Sequence, residues 1–462
     1  MLRIEKLLFW LTLTTFAFPL AANLESGYRL HLFELPMWAL YLLWAFRFGL
    51  RLARLRLIKF DYVFMLFMLW LALSMSVNDA WGFGANNMGF WIKSFLIGIY
   101  LRHNLYRLYS LPALVWFFAI VLFFEVSLGI LQGITQSSIG VVQQYFGQIM
   151  DHTSVYNTGV IHVVRVQGTF KHCNILGNWI VMLLPLIITK ALVSVGSQRR
   201  FCWLCAAAAI VALILTLSRG NWGALVFGLF VMANVTGILK AKRFNMSKAV
   251  AGALVGGTYM VLMSAIFFEE LSVFTDALTQ RVEKLPGSRS GTTRYNLALG
   301  AIQLIDENLL WGVGLGKSNE LLHYTDYEIR ERFSSTVHNI FLIIATEGGL
   351  VALVLFLIFL WQPIKNLYRV AKKRPGVAQE EDSFAAAGLL GGYSSLVFAM
   401  LWYVGMLDQS ELPLIMTFLH LSLGVAIQKK PLLPQVPAAD KTLAINLSQR
   451  QISQYAPVTL RT

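Results

Sequence analysis

Apolar runs of about 17 to 23 residues recur along this chain from end to end. A helix of that length crosses a hydrocarbon core of roughly 30 Å. Twelve such spans are predicted, near 6–22, 32–50, 61–77, 84–101, 111–133, 176–194, 201–217, 221–239, 248–268, 338–360, 384–406 and 412–427. The rest of the composition agrees. Of the 462 residues 57% are hydrophobic and 13% charged, with a mean hydropathy of +0.61. A soluble domain carries nearer a quarter charged residues. That excludes a soluble enzyme, a disordered scaffold and a disulfide-rich secreted domain. The expected fold is an all-α polytopic membrane protein, bathed in a lipid bilayer.

Two spans need comment. Arg3 and Lys6 precede the first, as in a signal peptide, but no small-x-small cleavage site follows, so it is kept as a membrane helix. The fourth is the least regular, being short and carrying Lys93.

The net charge of +14 raises the question of nucleic acid, and the distribution answers it. The basic residues lie between apolar spans rather than along one stripe, so no nucleic-acid partner is expected. They obey the positive-inside rule instead. With the N-terminus inside, 25 of the 38 lysines and arginines fall on inner segments and 11 on the outer side. Both termini are expected in the cytoplasm. The predicted organisation is five spans in 1–133, a periplasmic loop 134–175, spans six to nine in 176–268, a large periplasmic loop 269–337, spans ten to twelve in 338–428, and a cytoplasmic tail 429–462. Ala298 to Leu310 reads as an amphipathic helix folded over the outer mouth. The tail, with Pro431, Pro434 and Pro437, reads as an extension without a packed core. Cys202 and Cys205 form a C-x-x-C inside an apolar span, where two small buried hydrophobes are the simpler reading.

Arginines on the outer side resist the charge rule and so carry information. Arg219 sits in Thr216-Leu-Ser-Arg-Gly-Asn, a short turn between two spans. Arg294 sits in Gly291-Thr-Thr-Arg-Tyr-Asn, just before the amphipathic helix. Arg165 opens the stretch Arg165-Val-Gln-Gly-Thr-Phe-Lys-His-Cys-Asn-Ile-Leu-Gly177, which also holds His172 and Asn174. One such arginine would ordinarily pair with a carboxylate or a lipid head group. Several together suit a lipid-linked diphosphate, because a guanidinium stays charged and offers a planar fork to phosphate oxygens.

Val337-His338-Asn339 opens the tenth span, which then carries Glu347, Gly348 and Gly349. An imidazole has an unperturbed pKa of roughly 6.5 and can act as a general base at ambient pH. Glu347 lies nine residues on, about 13 Å along a helix, too far to orient His338 directly. It needs a partner of its own. The sequence holds no H-x-x-H or cysteine cluster for a metal, and no P-loop or dinucleotide fingerprint, so no cofactor is expected.

Taken in order, Arg165–Gly177, Thr216–Gly220, Arg294 with Leu310-Trp-Gly-Val-Gly-Leu-Gly316, and His338-Asn339 through Gly349 resemble the O-antigen ligase and Wzy-type polysaccharide polymerase superfamily. Ala352 stands where the ligase pattern has Gly, Thr or Tyr, and Cys173 where it often has Pro. The resemblance implies a GT-C-like fold and a metal-independent glycosyltransferase in the bacterial inner membrane. Such enzymes move a glycan from undecaprenyl diphosphate to a sugar hydroxyl at the periplasmic face. The acceptor would be lipid A core for a ligase or a second lipid-linked repeat for a polymerase, within a polysaccharide assembly machinery. By position, Arg219 and Arg294 would hold the diphosphate, with Arg165 a third contact. His338 would activate the acceptor, and His172, Asn174 and Asn339 would line the substrate site. A solute transporter and a lipid-linked glycan flippase are the competing readings. Against both stands the clustering of polar candidates at one face, and no inverted repeat of the transporter kind is visible.

Overall fold

A computed structural model describes residues 2–16, 21–23, 29–50, 56–137, 139–140, 143–145, 148–150, 155–157, 162–236, 289–325, 337–372, 380–402 and 411–427. Among them are twelve α-helices: α1 (Leu2–Phe16), α2 (Glu34–Gly49), α3 (Lys59–Val77), α4 (Trp81–Asn104), α5 (Leu111–Thr135), α6 (Cys173–Val193), α7 (Gly196–Leu215), α8 (Arg219–Thr236), α9 (Arg289–Glu307), α10 (Ile340–Ala371), α11 (Glu380–Ala399) and α12 (Leu412–Ile427). A 3-10 turn covers Ser318–Tyr324. Five of these helices, α3, α5, α6, α7 and α10, are long and apolar enough to cross a membrane. The chain is a mostly helical, polytopic membrane protein.

The expected ninth span, 248–268, and the tail lie outside the described residues. Two differences from the expected layout stand out among the described residues. The first apolar run does not stay helical to residue 22: α1 stops at Phe16, and Ala21–Asn23 pairs antiparallel with Arg29–His31. Hydropathy counts apolar residues and is blind to whether their backbone is coiled or extended. Two more hairpins, Gln143–Tyr145 with Gln148–Met150 and Val155–Asn157 with His162–Val164, lie in the first long loop, so the fold is not purely α.

Three buried ion pairs tie α1 to α4 together. Arg47 reaches Glu5 at 2.9 Å and donates to Asn104 at 3.0 Å. Arg102 forms a fork on Asp61 at 2.9 and 2.6 Å. These bonds set the N-ends of α1 and α3 level with the C-ends of α2 and α4. Lys93, the awkward residue of the fourth span, is neutralised by Glu34 at 2.8 Å, and its carbonyl accepts from the Tyr41 hydroxyl. An ion inside a span persists only with such a partner.

Helix α6 is apolar all round and buried along nearly its whole length, which places it centrally. Against it packs α11, whose Ala-Ala-Ala-Gly-Leu-Leu-Gly-Gly run brings the backbones close. A Cβ on Gly392 would collide with the Met182 carbonyl of α6. Small residues serve here because lipid leaves dispersion and close approach to hold helices together.

Helix α10 is broken. Gly349 has φ 74° and ψ −176°, a conformation open to glycine alone, so Ile340–Gly348 and Leu350–Ala371 are separate helical segments. The break frees carbonyls that have no water to turn to. The Trp311–Gly314 strap satisfies them: Val313 N–H donates to Thr346 O at 2.8 Å and Gly314 N–H to Glu347 O at 2.9 Å. Leu350 N–H donates back to Leu309 O at 2.8 Å. From α3, Trp70 Nε1 donates to Gly348 O at 2.8 Å, and its ring stacks on Trp311 with centroids 4.5 Å apart. The buried Glu347 carboxylate accepts from the Ser318 hydroxyl and from the N–H groups of Gly316 and Ser318. The partner sought for Glu347 is therefore the Gly316–Ser318 segment that follows the strap, which it holds against α10.

Candidate functional site

The N-termini of α6 and α8 meet at one asparagine. His172 is the N-cap of α6, and its Nδ1 accepts the Asn174 N–H at 3.0 Å. The Asn174 side-chain oxygen accepts from the Ser218 hydroxyl at 2.9 Å and lies 3.5 Å from Arg165 Nη2. Its backbone oxygen accepts from Asn221 Nδ2 at 3.2 Å. Arg165 Nε donates to the Thr216 carbonyl at 2.9 Å. Arg165, His172, Asn174 and the turn bearing Arg219 thus form one bonded assembly.

That turn is tight. Leu217 adopts φ 52°, rare for a branched side chain, and Arg219 follows as the first residue of α8. Ser218 N–H donates to Thr216 Oγ1 at 3.2 Å, and Trp222 Nε1 donates to the Leu213 carbonyl at 2.9 Å. Strain of this kind persists only where surrounding bonds hold it.

Helix α9 starts at Arg289, earlier than the periodicity suggests, because its first turns are polar and small (Ser290, Gly291, Thr292, Thr293). Arg294 is therefore on the helix rather than before it. The buried face of α9, Leu297, Ala301 and Leu304, packs with Val313, Leu321, Val337 and Ile343. Val337 immediately precedes His338, so α9 carries Arg294 toward the head of α10.

The C-end of α11 ties α10 to α8. Ile340 N–H donates to the Met400 carbonyl at 3.1 Å, and two residues on, Trp402 lies against Gly220. Asn339 is the N-cap of α10, its Oδ1 accepting from Phe341 and Leu342 N–H at 2.9 and 3.2 Å. His338 is half-buried at this junction.

Electrostatics brings the three arginines together. The Arg294 guanidinium is held below the usual arginine range, first by crowding from protein atoms and then by the charges of Arg219 and Arg165. The residue is nevertheless exposed, so it stays charged; the informative part is that two other guanidiniums are close enough to be felt. Three cations and the N-termini of α6 and α8, each terminus worth roughly half a positive charge, give this region an electrostatic environment that favours an anion.

The structure brings Arg165, His172, Asn174, Arg219 and Arg294 together, and places His338 and Asn339 at the head of α10, tied to α8 through the C-end of α11. Two have local duties not visible in the sequence: His172 and Asn339 are helix caps. With Nδ1 accepting a hydrogen bond, neutral His172 carries its proton on Nε2, which suits it poorly as a base. Sequence reasoning passed over Ser218 and Asn221, although both lie within three residues of Arg219. It also passed over Asn178, one turn below Asn174, whose Nδ2 donates to the buried Glu411 at 3.0 Å.

Residues 204–357 match the family model described as O-antigen ligase. The expected likeness to the O-antigen ligase and Wzy-type superfamily is borne out over those residues, about a third of the chain. The matched residues take in α7 from Leu204, α8, α9 and α10 as far as Leu357, hence Arg219, Arg294, His338 and Asn339, while Arg165, His172 and Asn174 precede them. No curated protein matches the sequence. Among solved structures, a chain described under "Structural coordination of polymerization and crosslinking by a peptidoglycan synthase complex" overlaps 78% of this chain and 96% of its own length, at 14% identity and a TM-score of 0.38. A likeness that loose carries no argument.

Proposed function

We propose that this protein is a membrane glycosyltransferase of the O-antigen ligase type. It transfers a glycan from undecaprenyl diphosphate to a sugar hydroxyl on lipid A core, at the periplasmic face of the inner membrane. The observation that carries the reading is the meeting of Arg165, Arg219 and Arg294 at the N-termini of α6 and α8, with the head of α10, which bears His338, tied to α8 through the C-end of α11. In the reaction, His338 takes the proton of the acceptor hydroxyl. The oxygen attacks the anomeric carbon, the bond from that carbon to the diphosphate breaks, and the diphosphate leaves with the electron pair. Arg219 and Arg294 neutralise the charge that develops on it, with Arg165 a third contact. Asn339 holds the first turn of α10 and so the backbone from which His338 projects. The driving force lies in the donor, and the step calls for no metal.

A polymerase adding to a second lipid-linked repeat would use the same chemistry. The description of the matching family favours the ligase. Lipid-linked glycan in a deletion strain separates the two: full chains accumulate if a ligase is lost, single repeats if a polymerase is lost.

Arg219→Ala and Arg294→Ala test the clamp in purified protein. Each lowers transfer on the order of 100-fold, the scale of losing one preorganised donor to a developing charge. Lysine restores only part, since a point charge cannot reproduce a fork. Alanine variants at both positions with wild-type turnover would remove the diphosphate clamp. Transfer survives EDTA.

A further inference from the structure

Between Val164 and Thr169 the chain is splinted. Val164 N–H donates to Gln136 Oε1 at 3.0 Å, and Val166 N–H to the Leu215 carbonyl at 3.4 Å. The N–H groups of Gln167 and Gly168 both donate to Gln132 Oε1 at 3.0 Å. Gln132 Nε2 donates in turn to the carbonyls of Gly168 and Ile139, each at 2.7 Å. Thr169 gives its N–H to Glu125 Oε2 and its hydroxyl to Glu125 Oε1, both at 2.9 Å. Gln132 and Glu125 are fully buried and lie two turns apart on one face of α5. Arg165 sits within this held segment, and its side chain leads across to Thr216 and Asn174.

We propose that Gln132 and Glu125 are positioning residues of the transfer site: through the 166–169 backbone they aim Arg165 at the anion that Arg219 and Arg294 bind. The inference rests on the donor-diphosphate reading above and adds to it the element that sets Arg165 in place. Gln132 uses both amide hydrogens and takes two bonds on its oxygen, which leaves the segment a single register. Gly168 makes the fit possible. Its φ of 61° suits glycine, and a Cβ there would run into the Glu125 carboxylate. Apolar side chains would pack this surface at lower cost than a buried amide and carboxylate. What the polar pair supplies is direction, because a hydrogen bond defines angle and distance where apolar contact does not. Arg165 profits, since a guanidinium fork loses most of its advantage when its plane is turned.

The test is a double-mutant cycle on the binding of undecaprenyl diphosphate to the full chain in nanodiscs. Gln132→Met keeps the volume and removes every hydrogen bond; Arg165→Ala removes the guanidinium. Each alone weakens binding about tenfold, within the range of coupling between residues of one network. Together they weaken it no more than Arg165→Ala does. Glu125→Ala, which removes both acceptors for Thr169, weakens binding in the same way and adds nothing to the loss in Arg165→Ala. Two independent, multiplying losses would make Gln132 a general structural residue and overturn the proposal. So would unchanged binding by Gln132→Met beside a weakened Arg165→Ala, which leaves the diphosphate reading standing. Unchanged binding by Arg165→Ala would overturn both the role of Arg165 and this inference. Should Gln132→Met fail to fold, Gln136→Met at the more open edge of the splint carries the same cycle.

Discussion

A histidine with its backbone pinned on both sides is a different reagent from one on a mobile loop. Val337 is buried beneath α9, Asn339 caps α10, and Ile340 is tied to Met400, so His338 projects from a short held segment. If it is the base, His338→Gln keeps approximate size and hydrogen bonding but cannot take a proton at neutral pH. Transfer by purified His338→Gln is expected to fall about 100-fold or more, the scale of positioned proton transfer, while undecaprenyl diphosphate still binds. The rate of the parent falls as pH is lowered, because a protonated imidazole has no lone pair to offer. Near-normal turnover of His338→Gln per folded molecule would assign the residue to the interface instead. At this scale the sequence is informative wherever a residue defies a rule: Arg165, Arg219 and Arg294 are legible because the charge rule assigns them to the side that arginines avoid. It is silent where the role depends on direction. Nothing in His172-Cys-Asn174 says that the imidazole turns back to cap α6 rather than forward to substrate, and Glu125 in an apolar run is one charge without an address.

Among the elements, α10 departs most from its expected form. An apolar run with Gly348-Gly349 in it reads as one span, since periodicity averages over the very position where the helix stops. The break is visible only once the Trp311–Gly314 strap is present to take the freed carbonyls. Gly349→Ala would place a Cβ against the Leu310 carbonyl and force a side chain into a glycine-only region, at a cost on the order of 1–3 kcal/mol before the clash. The strap should lift from α10, with a lower unfolding temperature in detergent and a loss of transfer, because the buried face of α9 rests on Val313 of that strap. A variant with parent stability and activity would show that strap and helix are independent. Helix α9 teaches a related point. Its apolar face was legible from Ala298 onward, whereas its first turns, polar and glycine-bearing, carry no periodicity to detect, and Arg294 lies on them.

For the whole molecule, the recurrence of apolar runs made a polytopic helical protein legible, while which helices pack together was not, since small-residue contacts such as Gly392 on Met182 leave no periodic trace. Sidedness is testable directly. Ser334→Cys should react with an impermeant thiol reagent in intact cells and Ser453→Cys only after permeabilisation; the reverse pattern would invert the topology and move the site to the cytoplasm. Native cysteines should not interfere, as Cys173, Cys202 and Cys205 are all buried. The ion pairs of the first four helices bear on how such a chain is made. Glu34 leaves the ribosome 59 residues before Lys93, and Asp61 leaves 41 before Arg102. Each carboxylate reaches the membrane ahead of the cation it pairs with in the folded protein, so α2 and α3 are poor lodgers in lipid until α4 has been synthesised. The four helices should therefore leave the insertion machinery as a group, and a nascent chain halted before Lys93 should be held there rather than released.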